Sequence, residues 1–214
     1  MSEFENALKF ESEGKFSEAL QKFENCLALQ EVDRGDVFFH FGWCLEQQGE
    51  AKYQQALSCY QKAAELTALL VCEMNSNFRC GWLQRHLRNQ ADAADHFERV
   101  IFLGDSHGEI NTIYHQSLFW LAVTRETQGR IIQALHYYRR VQQLTPELAP
   151  ESRVREIHCL NQLGLYQEAH QRCLSFETQP PANFDENRYR ELRSAVQREQ
   201  LILEKCLIYD DFQI

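Results

Sequence analysis

Proline and glycine are scarce in this sequence, with 4 and 9 copies among 214 residues. A β-sandwich or a β-barrel contains many tight turns, and these turns depend heavily on proline and glycine. Their scarcity therefore argues against a turn-rich all-β fold and favours helices. The length suits one domain of ordinary core size or a short array of repeats.

Long apolar runs are also missing. No stretch approaches the roughly 20 apolar residues that a transmembrane helix needs, so we expect no membrane span. The first residues, MSEFENALKFESEGKF, carry acids where a signal peptide carries basic residues, and we expect no export signal. Eight cysteines in such a chain indicate reduced thiols and a cytoplasmic location.

Positive charge is in deficit, with a formal net charge of −9. A general nucleic-acid binder needs a basic footprint to displace counterions from phosphates, so we predict no such binding. The sequence also has no glycine-rich phosphate loop and no Ser or Cys nucleophile elbow. We therefore predict that the protein is not an enzyme and has neither catalytic residues nor a cofactor.

Metal ligation has little support. The sequence contains no CxxC pair, which disfavours a zinc framework. His170 and Cys173 could share one helix face, with His158 and Cys159 on the preceding helix. Core packing is the favoured interpretation of these residues, and we predict no metal site. Most of the other cysteines fall where small buried residues are expected, which indicates packing rather than reactivity; they are Cys26, Cys44, Cys59 and Cys80.

One short phrase recurs along the chain: a glycine, then an alanine, then a ring or a similar residue four positions after the alanine. Clear copies are GKFSEALQKF, GRIIQALHYY and GLYQEAHQRC, and looser copies are GEAKYQQALSCY and RNQADAADHF. The alanines are 37, 37, 41 and 35 residues apart; they are Ala19, Ala56, Ala93, Ala134 and Ala169. This spacing is close to one helix pair per repeat. A small residue also recurs seven positions before each turn, at Ala7, Gly42, Gly81 and Ala122, with Ile157 in the fifth copy.

These features resemble the tetratricopeptide repeat (TPR) family, whose pattern combines large and small residues, a turn glycine and an Ala-x-x-x-aromatic phrase. The second copy matches at Phe38, Phe41, Gly42, Leu45, Ala56 and Tyr60, and the fourth at Leu118, Leu121, Ala122, Gly129, Ala134 and Tyr138. The resemblance covers residues 1–177. It implies an all-α, right-handed superhelical solenoid of about five helix-turn-helix repeats, roughly at residues 1–33, 36–69, 74–103, 113–147 and 150–177.

Two segments interrupt the repeats. Leu103–Asn111 is predicted to be a surface loop between the third and fourth repeats. Residues 178–185 form a linker in which Pro180 and Pro181 stop the preceding helix, and Asn183 or Asp185 could cap the next one. Residues 186–214 are predicted to be a C-terminal capping helix and tail, with an apolar stripe at Tyr189, Leu192, Val196, Leu203, Cys206 and Leu207.

In this family the first helices of successive repeats line a concave groove. The resemblance puts two groups of residues on that surface. The predicted ligand-binding positions are Phe39, Trp43, Phe78, Trp82, Phe119 and Val123, together with Arg79 and Arg85. Their counterparts in the terminal repeats are Phe4, Leu8, Val154 and His158. No lysine is among them, so the groove differs from the family's carboxylate clamp. The nearby basic residues Arg79, Arg85, His86 and Arg88 either meet an acidic group of the partner or form a solvated helix face.

Aromatic rings on such a surface should be shielded from solvent, because a monomer rarely exposes a large contiguous apolar patch. Three hypotheses follow. An apolar or amphipathic segment of a partner protein lies in the groove, a second copy of the chain covers it, or the chain covers it itself, for example with its C-terminal helix. We favour the first, which predicts an adaptor or chaperone; a narrower form resembles the class II chaperones of type III secretion. The main alternative is a self-assembling structural subunit.

Overall fold

The structure is a computed structural model that describes residues 2–29, 33–181 and 184–211. In these ranges the chain is helical and contains no β-strand. The described helices are α1 (Glu3–Ser12), α2 (Phe16–Leu29), α3 (Arg34–Glu46), α4 (Tyr53–Leu66), α5 (Leu70–His86), α6 (Gln90–His107), α7 (Thr112–Thr127), α8 (Ile131–Leu144), α9 (Ala149–Gln162), α10 (Tyr166–Leu174) and α11 (Glu186–Asp211). None of them combines the length and apolarity that crossing a bilayer requires.

The chain divides into two compact bodies, Met1–Ser117 and Leu118–Ile214, which we call the N-terminal body and the C-terminal body. The division falls inside α7. Each body consists of helices that contact their neighbours in sequence, as the repeat pattern predicts. The predicted all-α architecture is therefore confirmed.

Small residues let the paired helices of the N-terminal body approach closely. A Cβ atom on Gly42 of α3 would lie 3.1 Å from the Tyr60 ring and 3.2 Å from the Ala56 carbonyl oxygen on α4. A Cβ atom on Gly81 of α5 would lie 2.8 Å from the Phe97 ring on α6. The recurring small residue thus marks the contact with the alanine and ring of the second helix.

The second helix of each of the first four repeats supplies a buried ring to the core; these helices are α2, α4, α6 and α8. Phe23, Tyr60 and Phe97 of the N-terminal body and Tyr138 of the C-terminal body have no exposed surface. Each ring follows a fully buried alanine by four residues, so both side chains lie on one helix face. Their burial explains why the Ala-x-x-x-ring phrase repeats.

In the C-terminal body, α11 packs against α9 and α10. Its buried side chains are Tyr189, Leu192, Val196 and Leu203, which belong to the predicted stripe, whereas Cys206 and Leu207 are partly exposed. Asp185 caps the helix, because its carboxylate accepts a 2.6 Å hydrogen bond from the Arg188 amide. The other candidate cap, Asn183, lies outside the described residues.

The predicted loop at Leu103–Asn111 is mostly helix. α6 continues to His107 and ends at Gly108, whose φ of 71° is left-handed. Leu103 and Gly104 are buried, and a Cβ atom on Gly104 would lie 2.4 Å from the Tyr114 ring. The helix extends because these two residues continue its packed face, so the link to α7 is only residues 108–111.

Candidate functional site

The predicted groove rings on the first helices of the first four repeats (α1, α3, α5 and α7) pack against buried rings on the second helices (α2, α4, α6 and α8). Within each pair the ring centroids are 5.5–6.1 Å apart, in edge-to-face or tilted geometry; the pairs are Phe4–Phe23, Phe39–Tyr60, Phe78–Phe97 and Phe119–Tyr138. Part of each groove ring is therefore covered by its own repeat. Phe78 is the predicted groove ring that is buried, since only 7% of its surface is exposed. A ligand on α5 would meet Trp82 and Arg79 rather than the Phe78 ring.

Trp43 and Arg79 form a stacked pair that joins α3 to α5 in the N-terminal body. The guanidinium carbon of Arg79 lies 4.3 Å from the centroid of the Trp43 ring, which is cation–π geometry. The same guanidinium donates to Glu46 Oε1 at 3.3 Å. The other carboxylate oxygen of Glu46 accepts a 2.8 Å hydrogen bond from the Tyr60 hydroxyl. The two predicted ligand-binding residues are thus held in place by a buried carboxylate.

A second aromatic cluster surrounds Trp82. Its ring lies 4.8 Å from the His86 ring and 5.9 Å from the Arg85 guanidinium. Tyr53 of α4 completes the cluster, 5.8 Å from His86. Trp82 is partly exposed, so the N-terminal body presents an indole beside the Arg85 guanidinium.

The C-terminal body repeats the carboxylate arrangement of the N-terminal body. Glu126 accepts a 2.6 Å hydrogen bond from the Tyr138 hydroxyl and contacts Arg155 Nη1 at 3.4 Å. Burial and the adjacent carboxylate raise the pKa of Tyr60 and of Tyr138, so both phenols stay protonated donors.

The first repeat carries a variant of this arrangement. His40 of α3 takes the place of the arginine, and its Nδ1 lies 2.9 Å from Glu11 Oε2. The ring of Phe23 stacks on His40, with centroids 5.8 Å apart. An acid near the end of one first helix therefore recurrently meets a basic side chain on the next first helix.

A pocket of about 320 Å³ lies within the C-terminal body. Its apolar lining consists of Phe119, Trp120, Val123, Leu148, Val154 and Leu192. Three charged residues, Glu151, Arg155 and Arg188, complete the lining. The pocket brings together the predicted residues Phe119, Val123 and Val154. Pockets of this size and composition hold small ligands or individual side chains.

Sequence reasoning missed the contribution of α11 to this pocket. The sequence places Leu192 on the apolar stripe of a terminal helix that either seals the repeats or covers the groove, and it gives no signal for Arg188. The apolar period of α11 reports which face is buried, but not which neighbouring side chains that face meets. Trp120 stands two residues before the recurring position of its repeat, where other repeats have Arg79 and Arg155, so the repeat pattern does not mark this position as aromatic.

The His/Cys candidates do not converge on a metal site. His158 Nδ1 lies 3.2 Å from Glu199 Oε1, and His170 Nε2 lies 3.8 Å from Glu204 Oε1. Burial raises the pKa of Cys159 to about 12 and that of Cys173 to about 11, which opposes the thiolate that metal binding needs. Among the residues that the structure describes, no three His, Cys, Asp or Glu side chains form a group that could hold a metal ion.

Comparisons with known proteins point to the same fold. No protein-family model matches the sequence, and a search of curated proteins finds no match. Solved structures do match. The MamA protein is 16% identical with a TM-score of 0.66, covering 79% of this chain and 85% of that chain. A Podosopora anserina protein of nearly identical TPR-like repeats is 15% identical with a TM-score of 0.60, covering 93% of both chains.

BtubC (BKLC) from P. vanneervenii is a third such structure, 14% identical with a TM-score of 0.64, covering 89% of this chain and 78% of that chain. At these identities the likeness concerns the fold and carries no statement about ligands or partners. The helix pairs, the recurring small residues and the buried rings agree with it. The chain therefore has a fold of the tetratricopeptide-repeat type.

Proposed function

We propose that this protein is an adaptor that binds an apolar or amphipathic segment of another protein. The observation that carries the proposal is that first helices of each body present partly exposed rings; these are Trp43 and Trp82 in the N-terminal body and, separately, Phe119 in the C-terminal body. Aromatic side chains and arginine are the residues that most often carry binding energy in protein interfaces. Each buried ring would contribute about 1.5–3 kcal/mol before ordering costs.

Preorganisation supports this proposal. Arg79 holds the Trp43 ring from one side, and Glu46 fixes Arg79 in turn. Side chains that are already ordered lose little conformational entropy when a partner arrives. Such a surface suits recognition of a segment by a few rigid anchors.

The proposal assigns no chemical step to the chain. Burial raises the pKa of Cys44 and of Cys80 to about 12, so these thiols are poor nucleophiles at neutral pH. Binding therefore accounts for the candidate surface better than catalysis does.

A quantitative pull-down from a lysate of the source organism tests the adaptor proposal. The bait is the full chain, compared with Trp43→Ala/Trp82→Ala and with a matched control, Phe102→Ala/Ile132→Ala. The control removes apolar side chains that are 59% and 72% exposed on second helices. We expect saturable capture by the wild type and the control, and loss of capture by the tryptophan variant at unchanged helical content. Equal capture by all three baits would contradict a role for the tryptophans.

Self-assembly is a second candidate, because Leu201 and Ile202 of α11 are 60% and 50% exposed. Exposed aliphatic side chains on one helix suit contact with a second copy. Light scattering over a range of concentrations separates the two functions, since only self-assembly makes the mass rise with concentration. The chaperone hypothesis is a narrower form of the adaptor proposal, and it requires a captured partner that is an apolar secreted protein.

A further inference from the structure

The pocket of the C-terminal body is lined by six apolar and three charged residues. Its volume of about 320 Å³ is at the small end of ligand sites, which suits one large side chain rather than a whole helix. Leu148, Val154 and Leu192 provide aliphatic surface. An apolar anchor entering the pocket would therefore be surrounded by apolar atoms.

The charged side chains of the lining differ in exposure. The side chain of Glu151 is 19% exposed, and that of Glu126, which pairs with Arg155 but does not line the pocket, is 10% exposed. The side chains of Arg155 and Arg188 are more accessible, at 47% and 53%. A ligand arriving from solvent therefore meets cations first.

The two arginines keep donor capacity for a ligand. A guanidinium group has five N–H donors. Arg155 contacts Glu126 through Nη1 at 3.4 Å, which is a long hydrogen bond. Arg188 contacts Glu191 through Nη1 at 2.9 Å and Glu151 through Nε at 3.5 Å. The remaining donors can meet a carboxylate from outside.

We propose that this pocket binds a partner segment that presents one large apolar side chain next to a carboxylate, with α11 supplying one wall through Leu192 and Arg188. The proposal rests on the adaptor function proposed above and specifies the chemistry of the partner. α11 is thereby part of a binding site as well as a terminal helix.

The position of α11 is fixed by polar contacts beyond its apolar face. Glu199 accepts a 2.9 Å hydrogen bond from Asn161 Nδ2, and its other oxygen lies 3.2 Å from His158 Nδ1. These contacts join α11 to α9, which carries Val154 and Arg155. The two helices that supply Leu192 and Val154 to the lining are therefore joined by polar contacts as well as by apolar packing.

The net charge of −9 opposes an acidic partner only at long range. Charges farther apart than about 8 Å are largely screened at physiological salt. A carboxylate in contact with Arg155 or Arg188 is inside that distance. The local contact therefore decides the preference at the pocket.

Titration of the full ¹⁵N-labelled chain with three blocked tripeptides tests the proposal. The probes are acetyl-DFE-amide, the charge-reversed acetyl-KFK-amide, and acetyl-DAE-amide, which lacks the ring. We expect acetyl-DFE-amide to shift the resonances of Val123, Val154 and Leu192. The lysine peptide should bind about threefold or more weakly, and the alanine peptide should leave the resonances in place. Equal or tighter binding of the lysine peptide, or shifts confined to other residues, would overturn the proposal.

Variants connect this result to α11. Leu192→Ala should weaken acetyl-DFE-amide binding severalfold, and Arg188→Gln should reduce the preference over acetyl-KFK-amide, with Arg155 retaining part of it. The control Leu203→Ala removes another buried leucine of α11, outside the pocket lining, and should bind like the wild type. Arg188 is exposed, so Arg188→Gln remains informative even if Leu192→Ala unfolds the helix. Wild-type selectivity in Arg188→Gln would contradict the proposal without touching the tryptophan pull-down, which tests the adaptor function separately.

Discussion

The Tyr60 hydroxyl donates a 2.8 Å hydrogen bond to a carboxylate of Glu46 that is only 9% exposed. Tyr138 and Glu126 make the same contact at 2.6 Å in the C-terminal body. In both places the tyrosine is a core ring of the second helix, and the acid follows the recurring small residue of the first helix by four positions. The pair thus links core packing to the arginine on the candidate binding surface.

Replacing either tyrosine by phenylalanine should destabilise the protein by about 1–2 kcal/mol, because a buried carboxylate loses a charge-assisted donor. The ring and its packing remain, so the effect isolates the hydroxyl. Urea unfolding of Tyr60→Phe and Tyr138→Phe measures it. The matched control Tyr53→Phe removes a hydroxyl from a partly exposed ring outside these pairs and should change the free energy of unfolding by less than about 0.5 kcal/mol. Equal effects at all three positions would show that the pairs contribute no special stability.

Arg88 is strained. Its φ is +65°, whereas four other turns of the chain use glycine at this conformation. A left-handed residue other than glycine costs roughly 1 kcal/mol or more. Arg88→Gly should therefore stabilise the N-terminal body by about 0.5–1 kcal/mol in thermal or urea unfolding, after the entropy of glycine in the unfolded chain is subtracted.

The reciprocal variant is Gly14→Ala. A Cβ atom there would meet nothing within 4 Å, so only the φ of 73° is at issue. It should destabilise by about 1 kcal/mol. Destabilisation by Arg88→Gly would mean that the arginine side chain contributes more than its backbone conformation costs.

Substitution by alanine should have different effects on stability at Gly35 and at Gly42 of α3. A Cβ atom on Gly35 would lie 2.4 Å from Thr67 Cβ and 2.6 Å from Thr67 backbone atoms. A Cβ atom on Gly42 would lie no closer than 3.1 Å to Tyr60. Gly35→Ala should destabilise by about 1–3 kcal/mol because backbone must move. Gly42→Ala should be near neutral, since the gain of up to about 1 kcal/mol in helix propensity offsets a mild contact. Midpoints of thermal unfolding rank the two, and equal midpoints would contradict the difference in space.

The helix pairs could be predicted from the sequence because the spacing that puts residues on one helix face is a local property. Ala56 and Tyr60 share a face through the period of a helix, and the small residue Gly42 marks the contact with the preceding helix. The exposure of each side chain on the first helices was harder to predict. Phe39 and Phe78 hold the same repeat position, yet Phe39 is partly exposed and Phe78 is buried. That difference depends on neighbouring repeats, and a single repeat does not contain it.

The sequence contains a second repeated signal, carried by acidic and basic residues, that the apolar pattern does not reveal. Glu46 and Glu126 follow the small residue by four positions, and Arg79 and Arg155 precede the next one by two. Periodicity of apolar residues does not report polar pairs between repeats, so this signal appears only when charged residues are aligned on the repeat. The pocket wall from α11 has no such signal, because α11 lies outside the repeating pattern.

His96 gives the stability of the N-terminal body a dependence on pH. Burial lowers the pKa of this histidine, and its Nδ1 lies 3.0 Å from Asn77 Oδ1. A lowered pKa in the folded state means that the unfolded chain binds the proton more tightly. Stability is therefore complete above the unfolded pKa of about 6.5 and is lost as pH falls toward the folded pKa.

Urea unfolding at pH 7.5 and pH 5.5 measures this loss. His96→Gln should show a smaller difference between the two pH values than the wild type does. The exposed His136 provides the control, and His136→Gln should keep the wild-type difference. If His96→Gln kept the full difference as well, another group would be responsible for it.

The thiols should differ sharply in reactivity. All eight cysteines are free, and Cys59 and Cys206 are the two that are partly exposed. Burial raises the pKa of three fully covered thiols to about 12; they belong to Cys44, Cys80 and Cys159. At pH 8 only about one in ten thousand such groups is a thiolate, and the thiolate is the reactive form.

Ellman's reagent should therefore label at most two thiols rapidly in the native protein and all eight in urea. Cys206→Ser should reduce the rapid phase by one thiol, whereas Cys80→Ser should leave it unchanged. Rapid labelling of more than two native thiols would mean that the helix pairs open on the timescale of the assay.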